Sequence, residues 1–141
     1  MTIDIFTDGA CSGNPGVGGW GAVIIENNKI FNLHGGCDNT TNNKMELTAV
    51  IKVLQHFKKR KDVNIFTDSK YVKNGITEWI HKWKINGWKT ANKKPVKNKD
   101  LWIILDQEIT KHKINWQWIK GHSQNKFNEL ADQLARKYIE N

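Results

Sequence analysis

The sequence predicts an α/β fold: a five-stranded mixed sheet, an antiparallel meander plus parallel strands, flanked by helices. Three observations carry this. The run Ile5-Phe6-Thr7-Asp8 returns as Ile65-Phe66-Thr67-Asp68, two β-prone segments that each stop on an aspartate. Between them lies a stretch whose apolar residues recur at helical spacing, so a crossover helix joins the two copies and they pair in parallel. Ahead of that helix stand three apolar runs separated by polar or Gly-rich turns, the pattern of a meander. The order β-β-β-α-β-α-(α)-α-β-α puts the strands ending in Asp8 and Asp68 at the centre of the sheet. In open α/β sheets, ligands bind at the carboxyl ends of the strands.

Each element has its own signal. Residues 2–8 read as a strand, residues 9–19 as a Gly-rich turn region, and 20–25 as a second strand. Within the turn region, Gly16-Val17-Gly18-Gly19-Trp20-Gly21 matches a dinucleotide-binding fingerprint by letters. That fingerprint requires a helix to follow, whereas a Val-Ile-Ile strand follows here, so the match is rejected. These glycines allow tight turning and close backbone approach. Glu26 to Lys29 is a polar turn and Ile30 to Gly36 the third strand. Asn39 to Asn43 leads into a helix from about Lys44 to Phe57, with Ala49, Val50, Val53, Leu54 and Phe57 as its stripe. Glu46 lies on that stripe, where an ionised carboxylate is costly without a partner; alternatively it turns back to close an Asn43-x-x-Glu46 capping box.

Val63 to Thr67 is the second copy of the opening strand. Helical patterns run from Ser69 to about Trp79 and on to about Asn86, with Asp68 available as an N-cap. Residues 87–98 read as a loop, Asp100 to about Lys111 as a helix, and Ile114 to Ile119 as the last strand. A loop carrying His122 leads to a helix from about Lys126 to Ile139. Its core stripe is Phe127, Leu130, Ala131, Leu134 and Tyr138, and Asp132 at the flank can form an i,i+4 pair with Arg136.

The 141 residues fit one domain. No apolar run approaches a membrane span, there is no signal-peptide pattern, and Cys11 and Cys37 lack metal-ligand spacing. A cytoplasmic chain with free thiols is the expectation. The net charge of +8 is local: residues 79–99 hold seven lysines and no acid, and the remainder is nearly balanced at 15 basic to 14 acidic residues. Such a patch points to a polyanion, nucleic acid first, against the plain alternative of a solvated surface.

Singly, Asp8, Glu46, Asp68 and Asp132 each have an ordinary structural use. Four acids converging without cations would repel and raise one another's pKa values, an objection that divalent metal removes. An all-oxygen site suits Mg²⁺, or Mn²⁺, and two such ions would fit phosphodiester chemistry.

Together these residues resemble bacterial-type ribonuclease HI, the type 1 ribonuclease H family, over essentially the whole chain. The motifs are Thr7-Asp8-Gly9, Thr41 to Leu47, Thr67-Asp68-Ser69, Trp79-Ile80-His81, Gly87 to Thr90, Lys120-Gly121-His122 and Asn128-Glu129-x-x-Asp132. The resemblance implies a ribonuclease H-like sheet and a monomeric endonuclease that hydrolyses the RNA strand of RNA–DNA hybrids, leaving 5′-phosphate and 3′-hydroxyl ends. It implies that Asp8, Glu46, Asp68 and Asp132 bind metal, two ions with substrate present, and that His122 moves protons or aids product release. It places Asn14, Asn42 and Asn43 near the minor groove, and Thr41 and Asn98 at a DNA-strand phosphate. Trp79, Lys84, Lys93, Lys94 and Trp102 join the substrate surface, and about 79–99 form a basic protrusion. For Trp83 and Trp88, packing is the expectation. Two departures stand out: Lys70, where relatives often carry Gln, and Ser123 to Phe127, where Gly and Pro are usual. A DNA nuclease or integrase on the same sheet and a catalytically silent hybrid-binding module are the rival readings.

Overall fold

A computed structural model describes residues 2–120 and 125–140. Eleven-residue strands β1 (Ile3–Gly13) and β2 (Gly16–Glu26) form a long hairpin, and β3 (Lys29–Thr40) completes the meander. Helix α1 (Asn42–His56) crosses to β4 (Asp62–Thr67). Helices α2 (Lys70–Asn74) and α3 (Ile80–Ile85) are joined by a π-helical turn over Gly75–Trp79. Helix α4 (Lys99–Thr110), strand β5 (Lys113–Trp118) and helix α5 (Lys126–Glu140) follow. The sheet order is β3-β2-β1-β4-β5, antiparallel through the meander and parallel from β1 to β5. Among the described residues no helix is long and apolar enough to cross a membrane.

The repeated tetrapeptide is paired in register. Ile5 lies opposite Ile65 and Phe6 opposite Phe66, and the two phenyl rings stack with centroids 4.5 Å apart. Side chains alternate between faces along a strand. Ile3 and Ile5 therefore join Ile65, Leu47, Val50 and Leu54 in the main core under α1, while Phe6 joins Val23, Ala131 and Leu134 under α5. Asp8, two residues beyond Phe6, falls on the α5 side.

The expectation of a turn region over 9–19 is corrected. Both strands run through it, pairing from Asp4 with Ile25 to Gly13 with Gly16, and only Asn14 and Pro15 make the turn. The glycines are there because neighbouring strand and helix atoms sit close to β2. A Cβ on Gly21 would lie 2.5 Å from the Ala131 carbonyl oxygen of α5, and one on Gly18 would lie 2.5 Å from Thr40 Cγ2. Asp8 is thus inside β1 rather than at its end. It lies just past the last parallel pair, Phe6 with Phe66, so it still marks the point where β1 and β4 part.

Two capping expectations are also corrected. The Thr41 hydroxyl caps α1, accepting from Lys44 N–H at 3.2 Å, so there is no Asn43-x-x-Glu46 box. The Ser69 hydroxyl caps α2, accepting from Val72 N–H at 3.1 Å, so Ser69 and not Asp68 is the N-cap.

The basic segment is ordered by aromatic packing. Tyr71, Trp79, Trp83 and Trp88 form a chain of ring contacts 5.7 to 6.2 Å between centroids, and Trp83 also meets Trp102 at 5.5 Å. The loop beyond α3 closes on itself, with Val96 N–H donating to the Trp88 carbonyl at 3.1 Å and Val96 buried beneath it.

Candidate active site

The fold brings three of the four expected carboxylates into one cluster. Asp8 from β1, Glu46 from α1 and Asp68 from the end of β4 each offer an oxygen, and these atoms all lie within 4.8 Å of one another. Gly9 makes the meeting possible. It has no side chain where α1 descends on β1; a Cβ there would lie 2.5 Å from the Glu46 backbone nitrogen. Its N–H donates to Glu46 Oε1 as well as to Asp8 Oδ1, the latter at 2.9 Å. Glu46 is buried on the apolar side of its helix, held by that N–H and by the Ser69 hydroxyl.

The electrostatics are unfavourable without a cation. Burial, then the nearby Glu46 and Asp68 charges, push Asp8 well above the ordinary carboxylate range. Burial also pushes Glu46 up, as does the Asp68 charge, while hydrogen bonds from Asp8, Ser69 and Gly9 oppose the rise. Without a cation the pair therefore resists carrying two negative charges. Because the folded pKa values exceed the unfolded ones, the folded chain binds more protons above about pH 4, and stability falls as pH rises through and beyond neutrality. Divalent metal opposes that loss. We expect Mg²⁺ to raise the melting temperature more at pH 8 than at pH 5, by a margin equivalent to about one pKa unit or more, on the order of 1.4 kcal/mol. Thermal melts in EDTA and in Mg²⁺ at the two pH values measure it.

Asp132 stands at the rim. It is within hydrogen-bonding reach of Asp8, yet its Oδ2 is also held by Arg136, 3.0 Å from both Nε and Nη2. The i,i+4 pair and the approach to the site therefore coexist. His122 lies outside the described residues.

A cavity of about 330 Å³ opens over the cluster, lined by Asp8, Glu46, Asp68, Asn42, Asn43 and Lys70 among others. Asn42 and Asn43 thus share a cavity with the acids. Asn14 is instead at the exposed β1–β2 turn. Asn98 caps the start of α4, donating from Nδ2 to the Tyr71 hydroxyl at 3.0 Å, beside a cavity that Lys44 and Lys99 line and Thr41 does not. Trp79 lines a further cavity with Tyr71, Trp83 and Lys97. Lys93 and Lys94 are exposed in the basic loop, and Lys84 pairs with Asp106 at 3.4 Å.

Trp102 is corrected. It is fully buried, and its indole N–H donates to the Tyr71 hydroxyl at 3.0 Å, so its ring is out of reach of any duplex. It shapes the site indirectly, through Tyr71, which lines the carboxylate cavity. Lys44, Ser69 and Tyr71 were not singled out in the sequence, whereas Arg136 was anticipated as the i,i+4 partner of Asp132.

The chain is similar to known proteins. The family model for RNase H matches residues 1–140. The chain belongs to the RNase H family. It is 60% identical over 134 residues to a ribonuclease H of Bradyrhizobium sp. (strain ORS 278), covering 95% of this chain and 87% of that one. It is 59% identical over 137 residues to a ribonuclease H of Wolbachia pipientis wMel, covering 97% of this chain and 94% of the relative. Among solved structures, LC9-RNase H1, described as a type 1 RNase H with the type 2 active-site motif, superposes with a TM-score of 0.83 at 31% identity, over 95% of this chain and 70% of that one. Membership makes the chain an endoribonuclease.

Proposed function

We propose that this RNase H-family chain hydrolyses the RNA strand of RNA–DNA hybrids by two-metal-ion chemistry, leaving 5′-phosphate and 3′-hydroxyl ends, and acts as a cytoplasmic monomer. The observation that carries the reading is the convergence of Asp8, Glu46 and Asp68 within 4.8 Å where β1 and β4 part. Among the described residues the clustered donors are all carboxylate oxygens, a set that fits hard divalent ions, Mg²⁺ first and Mn²⁺ as the alternative. The raised Asp8 and Glu46 pKa values express the same need for positive charge. Ions held there by Asp8, Glu46 and Asp68 would acidify a water for attack and offset the charge of the phosphate.

The chain's own groups do the rest. Asp8, Glu46 and Asp68 hold the metal, with Asp132 joining from the rim. Gly9 N–H and the Ser69 hydroxyl fix the buried Glu46 carboxylate, so little reorganisation remains when substrate arrives. Asn42 and Asn43, in the same cavity, both donate and accept, which suits the 2′-hydroxyls that distinguish RNA in a wide minor groove. His122 takes the proton-moving or product-release role. RNA fragments that ligate through their 5′ ends without prior phosphorylation are the expected products; fragments with 5′-hydroxyl and 2′,3′-cyclic phosphate ends would contradict the mechanism.

The basic segment supplies sequence-independent affinity. Replacing Lys84, Lys93 and Lys94 by Ala is expected to raise KM and to reduce the salt dependence of binding by a log–log slope of about 2 to 3. Lys84 contributes least, because it is paired with Asp106. KM measured over a salt series checks this, and an unchanged slope would remove the phosphate role.

A further inference from the structure

A second cavity, of about 520 Å³, adjoins the carboxylate cavity and shares Asp68, Ser69 and Lys70 with it. Its remaining walls include Lys73 from α2, and Trp118 and Lys120 at the end of β5. Three lysines therefore line one hollow, and Asp68, its one acid among the described residues, belongs also to the carboxylate cluster. All three are exposed, and none forms an ion pair among the described residues. None lies in the basic segment 79–99. Each ammonium group has three donors and no acceptor, so the hollow presents unmatched positive charge in a concave setting, which focuses attraction on an anion.

We infer that Lys70, Lys73 and Lys120 bind a backbone phosphate of the RNA strand next to the one that is cut. The inference rests on the hybrid-cleaving reading above. The strand is assigned by position. The scissile phosphate must lie against Asp68, and the hollow continues from that residue, so the strand being cut runs into it. The complementary strand lies across the minor groove. Lys70, standing where the two cavities meet, spans the scissile and neighbouring positions. This gives the Gln-to-Lys departure at that position a use: a point charge for phosphate in place of an amide.

The test combines protein and substrate changes. Hybrids are made with one cleavage site and a single neutral methylphosphonate at each nearby position of either strand. Wild-type cleavage of the unmodified hybrid comes first, so failure of the parent reading is seen separately. The Lys73→Ala/Lys120→Ala variant, checked for an unchanged melting temperature, should lose about tenfold in kcat/KM, mainly through KM, with a salt slope shallower by about 2. The Lys73→Gln/Lys120→Gln pair replaces it if the alanine pair melts early. One RNA-strand position should then penalise the wild type several-fold while leaving the variant unaffected. Equal penalties in both proteins at every position would overturn the inference, as would selectivity at a DNA-strand position. A variant whose only change is the Mg²⁺ concentration needed for activity would show that the lysines merely offset the carboxylates, and would also overturn it.

Discussion

Asp8→Asn is expected to lower kcat on an RNA–DNA hybrid by about a thousandfold while leaving KM within a fewfold of the wild type. The side chain keeps its shape and its bond from Gly9 but loses the charge that holds metal beside Glu46 and Asp68. On the proposed reading lysines elsewhere supply most of the substrate affinity, so the loss should fall on the chemical step. The same substitution should leave the metal-free protein as stable as the wild type or more so above pH 7, because it removes one of several buried, mutually repelling carboxylates. Opposite effects on activity and on metal-free stability distinguish a metal ligand from a structural aspartate, whose loss would lower both. Steady-state kinetics and melts in EDTA measure the pair.

Trp102→Ala should cost about 3–5 kcal/mol of stability. The ring is fully buried, packs against Tyr71 at 5.4 Å and Trp83 at 5.5 Å, and fills the space left by Gly75 in the π-helical turn. Little around it can collapse into the void, since its neighbours are themselves large rings. For a chain of this length the loss corresponds to a fall of about 10–17 °C in melting temperature. Activity should fall at temperatures where the variant is still folded, because the Tyr71 hydroxyl loses a donor and that side chain lines the carboxylate cavity. Trp102→Phe keeps most of the packing and should lose about 1 kcal/mol through the missing hydrogen bond. Thermal melts of the two variants in one buffer give the comparison.

Much of this was legible from local pattern. The repeat reported strand pairing because two parallel strands with the same inward and outward residues can lie in register, as Ile5 with Ile65 and Phe6 with Phe66 do. Glu46 was legible because a charge on an apolar stripe requires a partner, which proved to be Gly9 N–H and Ser69. What was not legible depends on distant neighbours. Gly18 and Gly21 read locally as residues for tight turning or close backbone approach, but the neighbours that crowd them, Thr40 and α5, the latter more than a hundred residues later than Gly21, could not be read from local chemistry. Trp102 looks the same in sequence whether its ring faces a duplex or the core. The choice between Asp68 and Ser69 as a helix cap is a matter of one residue, and either type serves. The three-lysine hollow joins α2 to the end of β5, elements that are parted by two helices in the chain.

The most direct test of the account is cleavage of three end-labelled duplexes of one sequence, RNA–DNA hybrid, DNA duplex and RNA duplex, with Mg²⁺ and with EDTA. The account predicts that the RNA strand of the hybrid is cut in Mg²⁺ and nothing is cut in EDTA. Cleavage of the DNA duplex in place of the hybrid, binding of the hybrid without cleavage, or cleavage that persists in EDTA would contradict it.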